Sequence, residues 1–429
     1  MGDRDRKTVV VGGGLAGLAA AAFLARAGRS VVLLEKSRAL GGRAATRVKD
    51  GFHFNLGPHA LFLGGAGAGT LRELGVEFPG GSPPSRGSFA VRGKKKHALP
   101  GGFASLLRTS LTGFSGKIEL AGLLGSIGKI DPGPIQDQPL EDWCESGARH
   151  PEVRGLVKAL FRLTTYVDDP SRQSAGAAVA QLQTALRSNV RYVDGGWQVL
   201  VEGLRRAAEA AGARIETSAA AVSIERDASV RAVRLADGTS IPAGSVVMAV
   251  GPDAARSLVV RSEETSLRAW AEAAIPVRAA CLDMGLRCLP DPRALFAVGI
   301  DRPLYFSVHS AVAMLAPQGG AVIHAAKYLG EGEADPKSVE TELEDWLDFL
   351  QPGWRDVTVD RRFLPKLTVS NAVVTAERGG TSGRPGPAVP EVRGLYAAGD
   401  WVGPEGMLSD ASLASARRAA QMIVNDFGR

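Results

Sequence analysis

The sequence predicts an α/β fold, a three-layer domain with a central parallel sheet and a small β-meander, interrupted by an inserted α+β region. Three stretches of the chain predict it. Residues 8–43 read as strand, glycine turn, helix, strand. Residues 213–251 break into short alternating strands about an Asp237-Gly238 turn, and residues 394–400, GLYAAGD, run from a short strand into a Gly-Asp turn ahead of a long small-residue helix. A strand, a helix and a second strand in succession build a parallel sheet, and short alternating runs around an Asp-Gly pair build a meander.

The first stretch carries most of the chemistry. Residues 8–11 are a β-branched run of the kind buried in parallel sheets, 15–27 are rich in Ala and Leu as a helix requires, and Gly28 supplies the stop. A second apolar run, 30–34, ends in Glu35. Gly12, Gly14 and Gly17 fall between strand and helix in the spacing G-x-G-x-x-G. Gly12 permits the tight turn, Gly14 lets the backbone approach a pyrophosphate, and Gly17 lets helix and strand pack closely. Leu15 and Ala16 open the helix, where unpaired N–H groups and the positive end of the dipole attract an anion. Glu35 is placed to accept from an adenosine ribose and to repel a 2′-phosphate. Glycines alone would be explained by a tight turn; the flanking strand, helix, second strand and carboxylate make the unit a Rossmann-type dinucleotide site.

The totals bound the rest. At 429 residues, 45% hydrophobic and 22% charged, the chain is long enough for two or three lobes around sizeable cores. The net charge of +6 is mild for this length, and no basic block is interleaved with aromatics, which excludes nucleic acid as the expected partner. Cys144, Cys281 and Cys288 have no C-x-x-C spacing, and with six histidines they predict neither a metal site nor a disulfide framework. The first residues are polar with no apolar signal region, and no apolar run reaches the length of a membrane span. A cytoplasmic protein is expected, with peripheral membrane contact through the basic stretch 85–130 as its one link to a bilayer. There Leu107, Leu111, Phe114 and Ile118 recur at helical spacing among Arg86, Arg92, Lys94, Lys95, Lys96, Arg108, Lys117 and Lys129. A lobe helix with a solvated basic edge is the plainer reading, and five glycines weaken any long helix there.

Residues 36–43, KSRALGGR, add two glycines that bend the backbone beside the nucleotide and Arg43, which reaches toward phosphate. With this block the sequence resembles the flavoprotein superfamily of phytoene (carotenoid) desaturases, protoporphyrinogen oxidases and monoamine oxidases. The resemblance implies non-covalent FAD, with Lys36, Gly42 and Arg43 joining Glu35 and the glycines at its ADP part. Residues 51–63, GFHFNLGPHALFL, look like the element that passes the flavin ring, which places Gly57, Pro58 and His59 at the cofactor; Asn55 stands where the family often has Asp. By the same resemblance the backbone of Val222 meets the adenine, Gly399 and Asp400 meet the ribityl or phosphate part, and Gly406, Met407 and Leu408 approach the pyrimidine edge. A helix N-terminus at that edge stabilises the negative charge of reduced flavin. Residues 194–204 resemble the Gly-Gly turn that leads a helix back toward the cofactor, with Trp197 a buried anchor of that turn.

The resemblance divides the chain into a discontinuous cofactor domain, 1–63, 190–264 and 386–429, and a substrate domain, 64–189 and 265–385. In the latter, 64–69 (GGAGAG) reads as a flexible connection and 139–187 as helical with a break at Pro170. Strands are expected at 277–284, 304–308 and 321–328, a helix at 338–350, and a linker at 379–390. Tyr305, Phe306, His309, His324, Lys327 and Tyr328 are the pocket candidates of that sheet. A second nucleotide fingerprint and a redox cysteine pair are both absent, so electrons are expected to enter from an organic substrate. The resemblance implies hydride transfer to flavin N5 from an apolar, polyene or isoprenoid-like substrate, with O2 or a quinone as the electron acceptor. Amine or porphyrinogen oxidation is the alternative, and a non-redox flavin isomerase or sensor is the alternative of another class. His59 and Lys327 are the catalytic candidates, each weighed against a structural role. The oligomeric state has no signal in the sequence.

Overall fold

The structure is a computed structural model that describes residues 7–84, 86–100, 103–330, 332 and 335–427. The polar residues 1–6 expected to lead into the first strand, and Ser85 at the start of the basic stretch, lie outside the described residues, as does the side chain of Leu107.

Five parallel strands form the first sheet, in the order Arg214–Glu216, Ser30–Leu34, Lys7–Val11, Ser245–Met248, Leu395–Ala397. Its members come from both ends and the middle of the chain, so the sheet closes only when distant segments meet. The strands are apolar throughout because both faces are covered. One face packs on helices Leu15–Arg26, Gln198–Ala210 and Leu408–Phe427, and the other on the meander Ala221–Arg226, Val230–Leu235, Ser240–Pro242. The helix Leu15–Arg26 is buried on nearly every side, between the sheet and its two helical neighbours. Its alanines let those neighbours approach. Gly17 is obligatory at that contact, since a Cβ there would lie 1.8 Å from Gly12 O.

The second sheet has seven strands, in the order Thr358–Ser370, Val277–Leu286, Ala321–Leu329, Leu304–Val308, Phe296–Gly299, Ser88–Arg92, Lys95–Ala98. All pairs are antiparallel except Phe296–Gly299 with Ser88–Arg92. Helix Pro336–Leu350 covers one face through Val339, Leu343, Trp346 and Leu347. Four of its strands were not expected, Thr358–Ser370, Phe296–Gly299 and the two of the hairpin 88–98. Thr358–Ser370 is an edge strand carrying Asp360, Arg361, Arg362, Pro365 and Lys366, which hide its alternation; an edge tolerates both charge and proline. The hairpin 88–98 places Lys95 and Lys96 on the opposite edge, so Arg92, Lys94, Lys95 and Lys96 of the basic stretch lie in this hairpin, not in a helix.

Helices Leu140–Gly147, Pro151–Thr165 and Ala175–Ser188 form the expected helical part, and the break at Pro170 lies between the last two. The expectation for 64–69 is corrected: helix Ala66–Glu73 begins inside GGAGAG. The glycines serve contact, because Cβ atoms at Gly65 and Gly67 would lie 2.1 and 2.7 Å from the carboxylate oxygens of Asp410. The Gly/Pro-rich 379–390 is likewise packed, with Gly380 buried against Gln136.

Candidate functional site

A cavity of about 530 Å3 opens at the C-terminal ends of the parallel strands. Ligands of open α/β sheets bind at that edge. The turn after the first strand forms one wall. Gly12 has φ +111°, and a Cβ on it would lie 2.5 Å from Ala249 O. Gly14 is different in kind. The nearest atom to its Cβ position is Gly41 O at 3.8 Å, and a Cβ on Gly42 would find only Gly14 Cα, also at 3.8 Å. The two missing side chains keep a slot open beside the first N–H groups of helix Leu15–Arg26, whose N-terminus has no side-chain cap. Leu15 and Ala16 line the same space. A pyrophosphate fits this cradle.

Glu35 is buried at the end of the second strand and accepts from Gly13 N–H at 2.7 Å and Ser37 N–H at 2.8 Å. Both oxygens are thereby fixed, with lone pairs left for a ribose. Lys36 lines the cavity beside it. Arg43 donates to Asp400 at 2.7 Å and to Val369 O at 2.9 Å, while Asn371 donates to Asp400 through Nδ2 at 2.8 Å and N–H at 3.1 Å. Burial alone would raise the Asp400 pKa, but the Arg43 guanidinium and Asn371 hold it below the usual carboxylate range. Asp400, expected at the ribityl or phosphate part, is thus the point where the N-terminal and C-terminal cofactor segments join. Gly399 lines the cavity next to it.

The turn Gly57-Pro58-His59 forms the opposite wall. Pro58 and His59 line the cavity; Gly57 lies behind them, pressed against Cys281. His59 faces Gly57 O through Nδ1 at 3.0 Å and Arg43 O through Nε2 at 3.1 Å, and meets Trp197 edge-on at 4.7 Å. Two carbonyl neighbours favour the imidazolium, yet burial is the larger effect and pushes the pKa down. Neither ring nitrogen presents a lone pair to the cavity, so the geometry gives His59 a bracing part. Trp197 is both a buried anchor and part of the wall. Asn55 Oδ1 accepts from Thr46 Oγ at 2.7 Å and from Trp197 N–H at 2.9 Å, a polar contact that needs no charge.

Some expected residues fall elsewhere. Lys327 is corrected: it pairs with Glu342 on the covering helix, away from the cavity. Residues 321, 323, 325 and 327 of its strand share the face that packs on helix Pro336–Leu350, whereas Ala326 and Tyr328 share the other. Phe306 is on the helix side as well. Val222 is 48% exposed at a register shift of the meander and does not line the cavity. Of the pyrimidine-edge trio, only Leu408 lines it, in a left-handed conformation with φ 55°. Met407 packs on Ala177 and Val374, and Gly406 O accepts from Arg384 at 2.7 Å. Gly17 packs under the turn. Tyr305, His324 and Tyr328 are buried in the sheet, and His309 is buried in the short turn that follows Leu304–Val308.

The structure adds residues the sequence did not suggest. Asn371 and Val369 end the edge strand, and Arg384 in the Gly/Pro-rich stretch donates to Asp400 O and Gly406 O, bracing the loop between them. Around the Gly57–His59 turn the cavity is lined by Leu56, Ala60, Tyr166, Cys281 and Leu367. Tyr166 donates its OH to Pro58 O at 2.9 Å, and burial pushes both its phenol and the Cys281 thiol well above their ordinary pKa values. Among the described residues no group of His, Cys, Asp and Glu side chains could hold a metal ion, and no helix is long and apolar enough to cross a membrane.

Comparison with known proteins gives this geometry its context. The family model described as flavin containing amine oxidoreductase matches residues 15–279. A 4,4'-diapolycopene oxygenase from Methylomonas sp is 26% identical over 305 residues, 62% of this chain and 59% of that protein. Protoporphyrinogen oxidase from Bos taurus is 43% identical over 117 residues, 24% of each chain. The chain thus matches less than two thirds of the length of these curated relatives. A crystal structure of an oxidoreductase from Methanosarcina mazei covers 98% of this chain and all of its own, with a TM-score of 0.76 at 19% identity, a likeness of fold.

Proposed function

The chain belongs to the flavin containing amine oxidoreductase family, a family of FAD-dependent oxidoreductases, and FAD is its cofactor; from that premise we propose that it desaturates an apolar organic substrate, polyene or isoprenoid in character. One observation carries this reading. Among the described residues, those that line the cavity around the Gly57–His59 turn, Leu56, Ala60, Tyr166, Cys281 and Leu367, include no carboxylate for an ammonium and no cation for a propionate. The carboxylates of the cavity, Glu35 and Asp400, are already bonded at its nucleotide part. An aromatic cage for an amine also has no support, since Tyr396 bonds Asp426 and Trp401 bonds Val250 O outside the cavity. The longer of the two curated matches, to the diapolycopene oxygenase, supports a polyene.

In this reading the cofactor domain is 1–63, 190–264 and 386–429, and the remainder shapes the substrate end. The nucleotide is held by the Gly14–Gly42 slot and the helix N-terminus, its ribose by Glu35, and the flavin part by the turn at Pro58-His59 and by Leu408. When bound, FAD would supply a two-electron acceptor for hydride from a substrate C–H bond, and loss of a proton from the neighbouring carbon to water would complete the double bond. The protein's own share is orientation and exclusion of water. His59 braces the turn, and among the described residues no side chain lining the cavity around it stands as a free base. O2 or a quinone would then take the electrons from the reduced cofactor. Anaerobic mixing of the yellow protein with polyenes, porphyrinogens and amines tests the reading. Bleaching by a polyene with a newly desaturated product is expected. Bleaching by amines alone would overturn it, and isomerised product from unbleached protein would make the reaction non-redox.

We extend the reading to peripheral contact with an anionic bilayer. Helix Phe114–Ile127 exposes Phe114 at 80% and Ile118 at 59% on one face, with Arg108, Lys117 and Lys129 around it. Phe114→Ser with Ile118→Ser should reduce sedimentation with anionic vesicles by roughly tenfold or more, since each buried side chain contributes about 1.5–3 kcal/mol. A wild-type protein that stays in the supernatant would end this part.

A further inference from the structure

Three of the six histidines gather at the cofactor-facing turn, His59 on it and His309 and His324 behind it. The reaction proposed above uses none of the buried pair at the centre of this cluster. Asp283, fully buried on strand Val277–Leu286, accepts from His324 Nδ1 at 2.6 Å and from Gly57 N–H at 3.3 Å. His324 stands directly across the ladder from Asp283, with its ring edge-on to His309 at 4.5 Å. His309 in turn stacks on Tyr192 at 3.6 Å. His324 Nε2, His309 Nδ1 and Ser307 Oγ have no hydrogen-bond partner among the described residues.

A carboxylate survives in a dry core only when its oxygens are bonded. Here one of the two bonds goes to a single backbone N–H, that of Gly57. Gly57 has φ +76°, and a Cβ on it would lie 2.8 Å from Cys281 Sγ, on the same strand face as Asp283. The residues that follow, Pro58 and His59, are the cavity wall. Tyr166 holds the same turn from the other side through Pro58 O. The turn is therefore gripped at two points, by Asp283 on the sheet and by Tyr166 at the end of helix Pro151–Thr165, and only the first is a carboxylate.

We propose that Asp283, oriented by His324, is a positioning residue that fixes the Gly57–His59 turn against the bound flavin and sets the reduction potential of the cofactor. The inference rests on the FAD reading but not on any substrate. A fixed negative charge in a low-dielectric sheet opposes the charge that a flavin gains on reduction. Asp283→Asn keeps an acceptor for Gly57 and removes that charge.

The test uses the FAD-loaded protein and two substrate-free signals: the midpoint potential from dye-coupled anaerobic reduction and the visible circular dichroism of the flavin. Asp283→Asn is expected to move the potential positive, and Asp283→Ala, which also removes the acceptor for Gly57 N–H, to alter the dichroism and lower kcat for any accepted substrate on the order of tenfold at unchanged KM, as small misplacements at a reacting centre do. His324→Gln, whose amide donates to the same carboxylate, should keep the wild-type potential. Should Asp283→Asn not fold, Gly57→Ala displaces the same turn through Cys281 and should change the same dichroism. A lowered melting temperature with potential and dichroism unchanged would make the pair structural and overturn the proposal. A failed substrate panel leaves these signals readable, so the two readings fail separately.

Discussion

Asp400→Ala is expected to be purified without colour and to bind added FAD with an affinity lower by roughly 100-fold or more. Asp400 is 2% exposed and accepts three hydrogen bonds, one from Arg43 and two from Asn371. Removing one member of a buried ion pair costs about 3–5 kcal/mol, chiefly because the other charge is left uncompensated. Arg43 is 40% exposed in its side chain, so solvent recovers part of this and the lower end applies. At about 1.4 kcal/mol per factor of ten, some 3 kcal/mol amounts to the stated loss. The effect should fall on the cofactor more than on the fold, because Arg43 and Asn371 belong to segments whose meeting shapes the cavity. Asp400→Asn, which still accepts from Arg43, should lose less. Isothermal titration of apo-protein with FAD decides the matter, and stoichiometric FAD in Asp400→Ala would remove the Arg43–Asp400 link from the binding account.

The same pair shows which parts of the site the sequence made legible. Arg43 and Asp400 each sit in a short local pattern, GGR and AAGD, whose residues are neighbours in the chain, and both were expected at the cofactor. Their mutual bond was not, since 357 positions separate them. Glu35, Gly12 and Gly14 were readable for the same local reason: a turn, a helix start and a strand end are fixed by adjacent residues. Asn371, Tyr166 and Arg384 come from a strand end, a helix end and a proline-rich loop, and no spacing relates them to one another. Lys327 marks a different limit. Its strand was recognisable, but which face meets the cofactor depends on what covers the other, and helix Pro336–Leu350 with Glu342 decides that. Val222 was displaced by a bulge in the meander, a feature set by pairing with Val230–Leu235.

GGAGAG, expected to be a flexible connection, leads to the second large prediction. Its helix is tied to the C-terminal helix by Asp410, buried to 1% exposure, which accepts from Gly67 N–H at 2.8 Å. Burial pushes the Asp410 pKa up to about 7, with the Gly67 bond acting against this and Glu405 adding to it. A carboxyl whose pKa rises on folding binds its proton more tightly in the folded state, so stability falls as pH climbs from about 4, the unfolded value, through 7. The shift of about 3 units, 7 less 3.8, corresponds to roughly 4 kcal/mol lost once pH exceeds 7. The N-terminus of helix Ala66–Glu73 favours the ionised form and offsets part of this, by up to about 2 kcal/mol. Asp410→Asn resembles the protonated form and cannot ionise. Its urea midpoint should therefore be nearly the same at pH 5 and pH 8, while that of the wild type drops between them, leaving the variant more stable by about 2–4 kcal/mol at pH 8. A wild type with no such drop would show that the helix N-terminus and Gly67 N–H outweigh burial, and Asp410 would then be an ionised cap at every pH tested.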